Sequence, residues 1–98
     1  MPSRRRPSEE KLRKIEAELR ERGLHAMLVS VCYEHHVTVA EVLRGETTKR
    51  VVQARDAFIH QLLELWFSSS EAGNLLGMNH TSVLVARGRH LERIGKSA

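Results

Sequence analysis

The spacing of apolar residues divides the chain into segments of different character. Ser8 is placed to cap a helix whose first turn carries Glu9 and Glu10, and Gly23 is a natural stop after Arg20 and Arg22. Within that helix Leu12, Ile15 and Leu19 form a narrow stripe among charged neighbours, which predicts an accessory helix that packs on the domain from outside or projects from it. From Leu24 the pattern becomes dense: Ala26, Met27, Leu28, Val29, Val31, Cys32 and Tyr33 follow too continuously for a surface helix and predict a buried one. Val29, Val31, Val37 and Val39 also suit a strand, but no second alternating run exists to pair with it, so the helix is preferred.

Thr38 can cap a short helix from Val39 to about Leu43, followed by a polar loop, Arg44-Gly45-Glu46-Thr47-Thr48. The longest periodic segment runs from Lys49 to Phe67. There Val51, Val52, Ala54, Phe58, Ile59, Leu62, Leu65 and Trp66 make one broad apolar face, opposite Arg55, Asp56, His60, Gln61 and Glu64. Ser68 with Glu71 is a capping-box pair opening a short helix that turns Ala72, Leu75 and Leu76 inward and stops at Gly77. Asn79 then caps a last helix with Val83, Leu84, Ala86, Leu91 and Ile94 as apolar positions, ending at Gly95. The expected fold is an all-α bundle of five or six helices: residues 1–23 form a basic tail and accessory charged helix, and residues 24–98 the domain proper.

Composition narrows the function. The 98 residues suffice for one core, and with 41% hydrophobic but only 4% aromatic residues that core is aliphatic. A net charge of +4 favours polyanionic partners. The single cysteine, Cys32, excludes an internal disulfide framework and a Cys-rich zinc module, and suits a reducing cytoplasm. No apolar run approaches the ~20 residues of a membrane span. The Arg4-Arg5-Arg6 run lacks the apolar stretch of a secretory signal and reads as a solvated tail in preference to a phosphate-binding arm. A cytoplasmic, nucleoid-associated protein without membrane or small-molecule partners is expected.

Between Ser68 and Arg89 the sequence outlines a helix-turn-helix: a capped short helix, a brief turn containing Gly77 and a second capped helix. The second helix opens with Asn79, His80, Thr81 and Ser82, short polar groups that offer donors, acceptors and a methyl to base edges in a major groove. Outward backbone amides at such a helix start can also bind phosphate. Arg87, Arg89 and Arg93 follow as cations. A plainer reading has Asn79 as a cap only and Thr81 and Ser82 as a solvated first turn.

The stretch from about Ala26 to Glu92 resembles the C-terminal DNA-binding domain of DnaA, the bacterial chromosomal replication initiator, giving a fold of the Trp-repressor/DnaA C-terminal kind. The resemblance rests on Val39-Ala40-Glu41-Val42-Leu43, on Val51-Val52-Gln53-Ala54-Arg55, on Ser68 with Glu71-Ala72-Gly73, and above all on Asn79-His80-Thr81-Ser82-Val83-Leu84-Val85-Ala86. It implies that His80 and Thr81 read bases with Asn79 at the reading edge, and that Ser82 holds phosphate. It further implies that Lys49 or Arg50 reaches the minor groove and that Arg55, Ser68, Ser69 and Ser70 lie near the backbone. Arg87 and Arg89 join them as backbone-facing cations.

The chain departs from that family in three places. Asn79 replaces the usual aspartate and adds a donor, which shifts base preference. Glu46 stands in a loop that the family makes rich in arginine. The turn at Gly77-Met78 is one residue shorter. No Gly-x-x-x-x-Gly-Lys-Ser/Thr phosphate loop occurs, so the initiator's ATPase function is excluded and a replication or transcription regulator acting at DnaA-box-like sites is expected. Related modules also end some transposase-like proteins, which leaves the DNA-binding part of such a protein as an alternative.

Cys32, His35 and His36 are close enough for a metal site but lack a fourth ligand, and His80 has neither nucleophile nor paired carboxylate beside it. No catalytic, cofactor-binding or metal residue is therefore expected, and the chain reads as a non-enzyme. Trp66 and Phe67 are expected in the core in preference to stacking on unpaired bases. The competing reading is a protein-interaction module in which Leu12, Ile15 and Leu19 of the N-terminal helix mediate docking or self-association.

Overall fold

The computed structural model describes residues 9–95. The Ser8 cap, the Pro2 to Pro7 tail and the Arg4-Arg5-Arg6 run lie outside the described residues. The elements are six helices: α1 (Glu9–Glu21), α2 (His25–His35), α3 (Val39–Arg44), α4 (Lys49–Glu64), α5 (Ser69–Leu76) and α6 (His80–Arg93). No strand occurs among the described residues, so the fold is the expected all-α bundle.

α1 is more than an accessory. Leu12, Ile15 and Leu19 are buried in the same cluster as Leu28, Val42, Phe58 and Leu75, and the helix packs on α2, α3 and α5. A three-residue stripe suffices because it faces a groove between other helices. The remaining surface is held by i,i+4 pairs, Arg20 to Glu16 at 3.3 Å and Arg22 to Glu18 at 2.7 Å, and His25 Nε2 meets Glu16 at 2.9 Å where α2 begins. Leu12, Ile15 and Leu19, which the competing reading assigned to docking or self-association, lie in this core.

α2 is buried on one face rather than all round, although its apolar residues occur on both. Leu28, Val31 and Cys32 face the core, whereas Val29 is half-exposed and Tyr33 is 81% exposed, because neighbouring helices cover only part of its circumference. His36 in the left-handed region (φ 59°) ends it, with Val37 N–H donating to the Cys32 carbonyl at 3.0 Å. Thr38 and Glu41 then form a reciprocal capping box at α3.

α4 runs through the centre and contacts α2, α3, α5 and α6. Val51, Ala54, Phe58, Ile59 and Leu62 are buried as expected. The helix stops at Glu64, earlier than the periodicity predicts, and Trp66 turns the chain at φ 73° and is 93% exposed. Trp66 is therefore not a core residue, while Phe67 beside it packs partly against the core. Asp56, expected on a solvent-facing side, is 0% exposed. α6 lies across that side of α4, so an arc that is polar in sequence becomes an interface.

Candidate nucleic-acid interface

The helix-turn-helix is built by three local devices. Ser68 and Glu71 satisfy each other: Ser68 N–H donates to the Glu71 carboxylate at 2.8 Å and Glu71 N–H to the Ser68 hydroxyl at 3.0 Å. This bonding holds the Glu71 carboxyl below its ordinary range. Gly77 takes φ 70° to reverse the chain, and Met78 N–H donates to the Gly73 carbonyl at 2.7 Å. The turn lies so close to α5 that a Cβ on Gly73 would come within 2.5 Å of the Met78 carbonyl oxygen. Gly73 therefore permits the approach of the two helices.

α6 is anchored by Val83 and Ala86, both fully buried, and leaves Asn79, His80, Thr81 and Ser82 exposed at its start. The Asn79 side-chain oxygen accepts Thr81 N–H at 2.8 Å, so it serves as the helix cap, and the side-chain amide nitrogen is a donor on an exposed residue. Leu84 and Ile94, expected as core positions, are half-exposed, since α6 contacts the bundle along one strip only.

Beside this start a recess of about 290 Å³ is lined by Arg55, Met78, Thr81, Ser82, Val85 and Arg89. Four residues expected to meet DNA, drawn from α4 and from the first three turns of α6, share this hollow. The Arg55 guanidinium donates to the Glu46 carbonyl at 3.3 Å, and burial together with the nearby Arg89 charge depresses its pKa, against an opposing pull from Asp56.

Arg89 is more constrained than a surface cation. Its Nε and Nη2 donate to the two oxygens of buried Asp56 at 3.0 and 3.1 Å, and Arg93 Nη2 donates to the same carboxylate at 3.0 Å. This side-on fork raises the Arg89 pKa. Sequence reasoning missed Asp56. The available signal was the Arg89/Arg93 spacing of four on α6, which presents two guanidiniums to one point on a neighbour.

The other expected contacts are distributed. Lys49 and Arg50 are exposed in the first turn of α4, about 8 Å along the helix from Arg55 at 1.5 Å per residue. Neither α4 nor α6 has an acidic residue in its first turn, unlike α1, α3 and α5, so the positive ends of these two helices are undiluted. Among the described residues no acidic side chain pairs with Lys49, Arg50 or Arg87. At the start of α5 the Ser68 hydroxyl is engaged in its cap and Ser69 is half-buried, which leaves Ser70 as the exposed hydroxyl.

Elsewhere, burial pushes the Cys32 thiol up to about 11, and His35 Nδ1 lies 3.0 Å from the Val31 carbonyl; no group of three or more metal-ligating side chains occurs among the described residues. Behind α6 the His60 and His90 rings stand 4.8 Å apart across the α4–α6 contact, and His60 Nδ1 is buried without a hydrogen-bond partner. No helix among the described residues is long and apolar enough to cross a membrane. Comparison with family models, curated proteins and solved structures finds no match to this chain.

Proposed function

We propose that this chain is a non-enzymatic module that binds duplex DNA, with α6 in the major groove and Asn79, His80 and Thr81 toward base edges. The observation that carries the reading is the recess in which Arg55, Thr81, Ser82 and Arg89 converge at the exposed start of α6. Hydroxyls and guanidiniums from two helices meeting beside a positive helix end suit a phosphate backbone. Lys49 and Arg50 extend the cationic surface toward a neighbouring groove, and Arg87 adds a further unpaired cation. Placement in the nucleoid, and a regulatory role at DnaA-box-like sites, follow from the same reading.

Five cations, Lys49, Arg50, Arg55, Arg87 and Arg89, set the electrostatic scale. If each meets a phosphate, the affinity should fall with salt at a slope of about −4.5, or roughly 500-fold between about 50 and 200 mM. Fluorescence anisotropy of a duplex carrying a DnaA-type box and of a scrambled duplex, with wild type and with His80→Ala/Thr81→Ala, tests both parts. Preference for the box that the double variant loses supports base reading; absence of any salt-sensitive binding sinks the proposal.

A further inference from the structure

The Asp56 cluster is oddly built for a stabilising ion pair. Arg89 and Arg93 both donate to one buried carboxylate and Arg55 is its neighbour in the chain, so three guanidinium groups stand near a single acid. Arg55 and Arg89 line the same open hollow, and there the Arg89 charge acts against that of Arg55, behind the larger effects of burial and of Asp56. An anion placed there relieves that repulsion.

The hydrogen bonds say which part of Arg89 would meet it. Asp56 holds Nε and Nη2, one edge of the planar guanidinium, which leaves Nη1 as the nitrogen it does not engage. An arginine held by one edge offers its remaining N–H groups in a fixed direction, and less side-chain freedom is lost when a ligand arrives. Thr81 and Ser82 bring hydroxyls to the same hollow.

We propose that Asp56 is a positioning residue for DNA binding: it fixes Arg89 so that, with Arg55, Thr81 and Ser82, it forms a subsite for one backbone phosphodiester next to the reading end of α6. This rests on the DNA-binding reading and adds an acidic residue to its machinery. It also makes a prediction opposite in sign to simple electrostatics. Removing a negative charge near DNA ordinarily strengthens binding, whereas Asp56→Asn weakens it here because Arg89 loses its orientation.

The experiment is salt-dependent anisotropy on both duplexes with wild type, Arg89→Ala, Arg89→Lys, Asp56→Asn and Asp56→Asn/Arg89→Ala, each checked for folding by circular dichroism. Arg89→Ala should weaken binding roughly tenfold at low salt and reduce the salt slope by about 0.9, equally on box and scrambled DNA. Asp56→Asn should reproduce that loss, the double variant should add little to it, and Arg89→Lys should fail to restore affinity because an ammonium lacks the fork. If Asp56→Asn does not fold, Arg89→Lys carries the test. A folded Asp56→Asn that binds as tightly as wild type or tighter, a slope unchanged in Arg89→Ala, or full affinity in Arg89→Lys overturns the proposal while leaving DNA binding intact. No salt-sensitive binding by wild type overturns both. The Arg89 Nε–H resonance followed by 15N NMR separates sources of phosphate: it should move with duplex and stay fixed with millimolar inorganic phosphate, and a shift with phosphate alone refutes the DNA assignment.

Discussion

Taking the Asp56 cluster apart from its two sides should give unequal costs. Asp56 is completely buried, whereas the Arg89 and Arg93 side chains are 45% and 32% exposed. Removing the acid lets both guanidiniums turn toward water, so Asp56→Ala forfeits the net value of charge-assisted hydrogen bonds, about 2 kcal/mol. Removing both arginines instead strands an acceptor-only carboxylate without partners in the interior, for which about 4 kcal/mol is the expected scale. The difference of about 2 kcal/mol corresponds to a gap of roughly 8 to 16 °C in Tm for a domain of this size. Urea and thermal unfolding followed by circular dichroism at neutral pH compare Asp56→Ala with Arg89→Ala/Arg93→Ala. Arg89→Ala alone should fall between wild type and the double variant, because Arg93 still meets Asp56. A double arginine variant as stable as Asp56→Ala, or more so, would refute the premise that the carboxylate is the desolvated partner.

Three further outcomes are expected. Leu19→Ala should cost about 2 to 5 kcal/mol in urea unfolding, because Leu19 is fully buried in the common core; a loss below about 1 kcal/mol would mean that α1 is a detachable accessory after all. Gly73→Ala should destabilise by about 2 kcal/mol despite a helix-propensity gain of about 1, since its Cβ would meet the Met78 carbonyl at 2.5 Å; a stabilised variant would contradict the close turn. Burial, and then the neighbouring His60 and Arg93, lower the His90 pKa from its ordinary 6.5. A histidine depressed on folding leaves stability intact above its unfolded pKa and removes it as pH falls through 6.5 toward the folded value. Tm should thus drop on acidification more steeply in wild type than in His90→Gln, and equal slopes would disprove a contribution from this ring.

Much of the outline was legible in the chain because it rests on local chemistry. The stops at Gly23, Gly77 and Gly95 and the caps at Thr38, Ser68 and Asn79 act within a few residues, so their types and spacing identify them. The exposed start of α6 was legible for the same reason, since Val83 and Ala86 fix which side of that helix is inward. Trp66 and Tyr33 were misplaced because apolar character alone does not reveal where a helix ends or how much of its circumference neighbours cover.

What the sequence by itself determined, then, is a set of five or six short-range helical segments, an aliphatic core and a polar, cation-flanked opening to the last helix. Tertiary structure alone decided that α1 closes the core, that Asp56 lies beneath α6, and that Arg55, Thr81, Ser82 and Arg89 share one recess. The physical reason is separation along the chain. Arg89 and Asp56 are 33 residues apart, and periodicity within a helix says which residues share a face but not which neighbour covers it. Whether a polar arc meets water or a second helix is settled by packing, and here that choice turns a surface arginine into an oriented one.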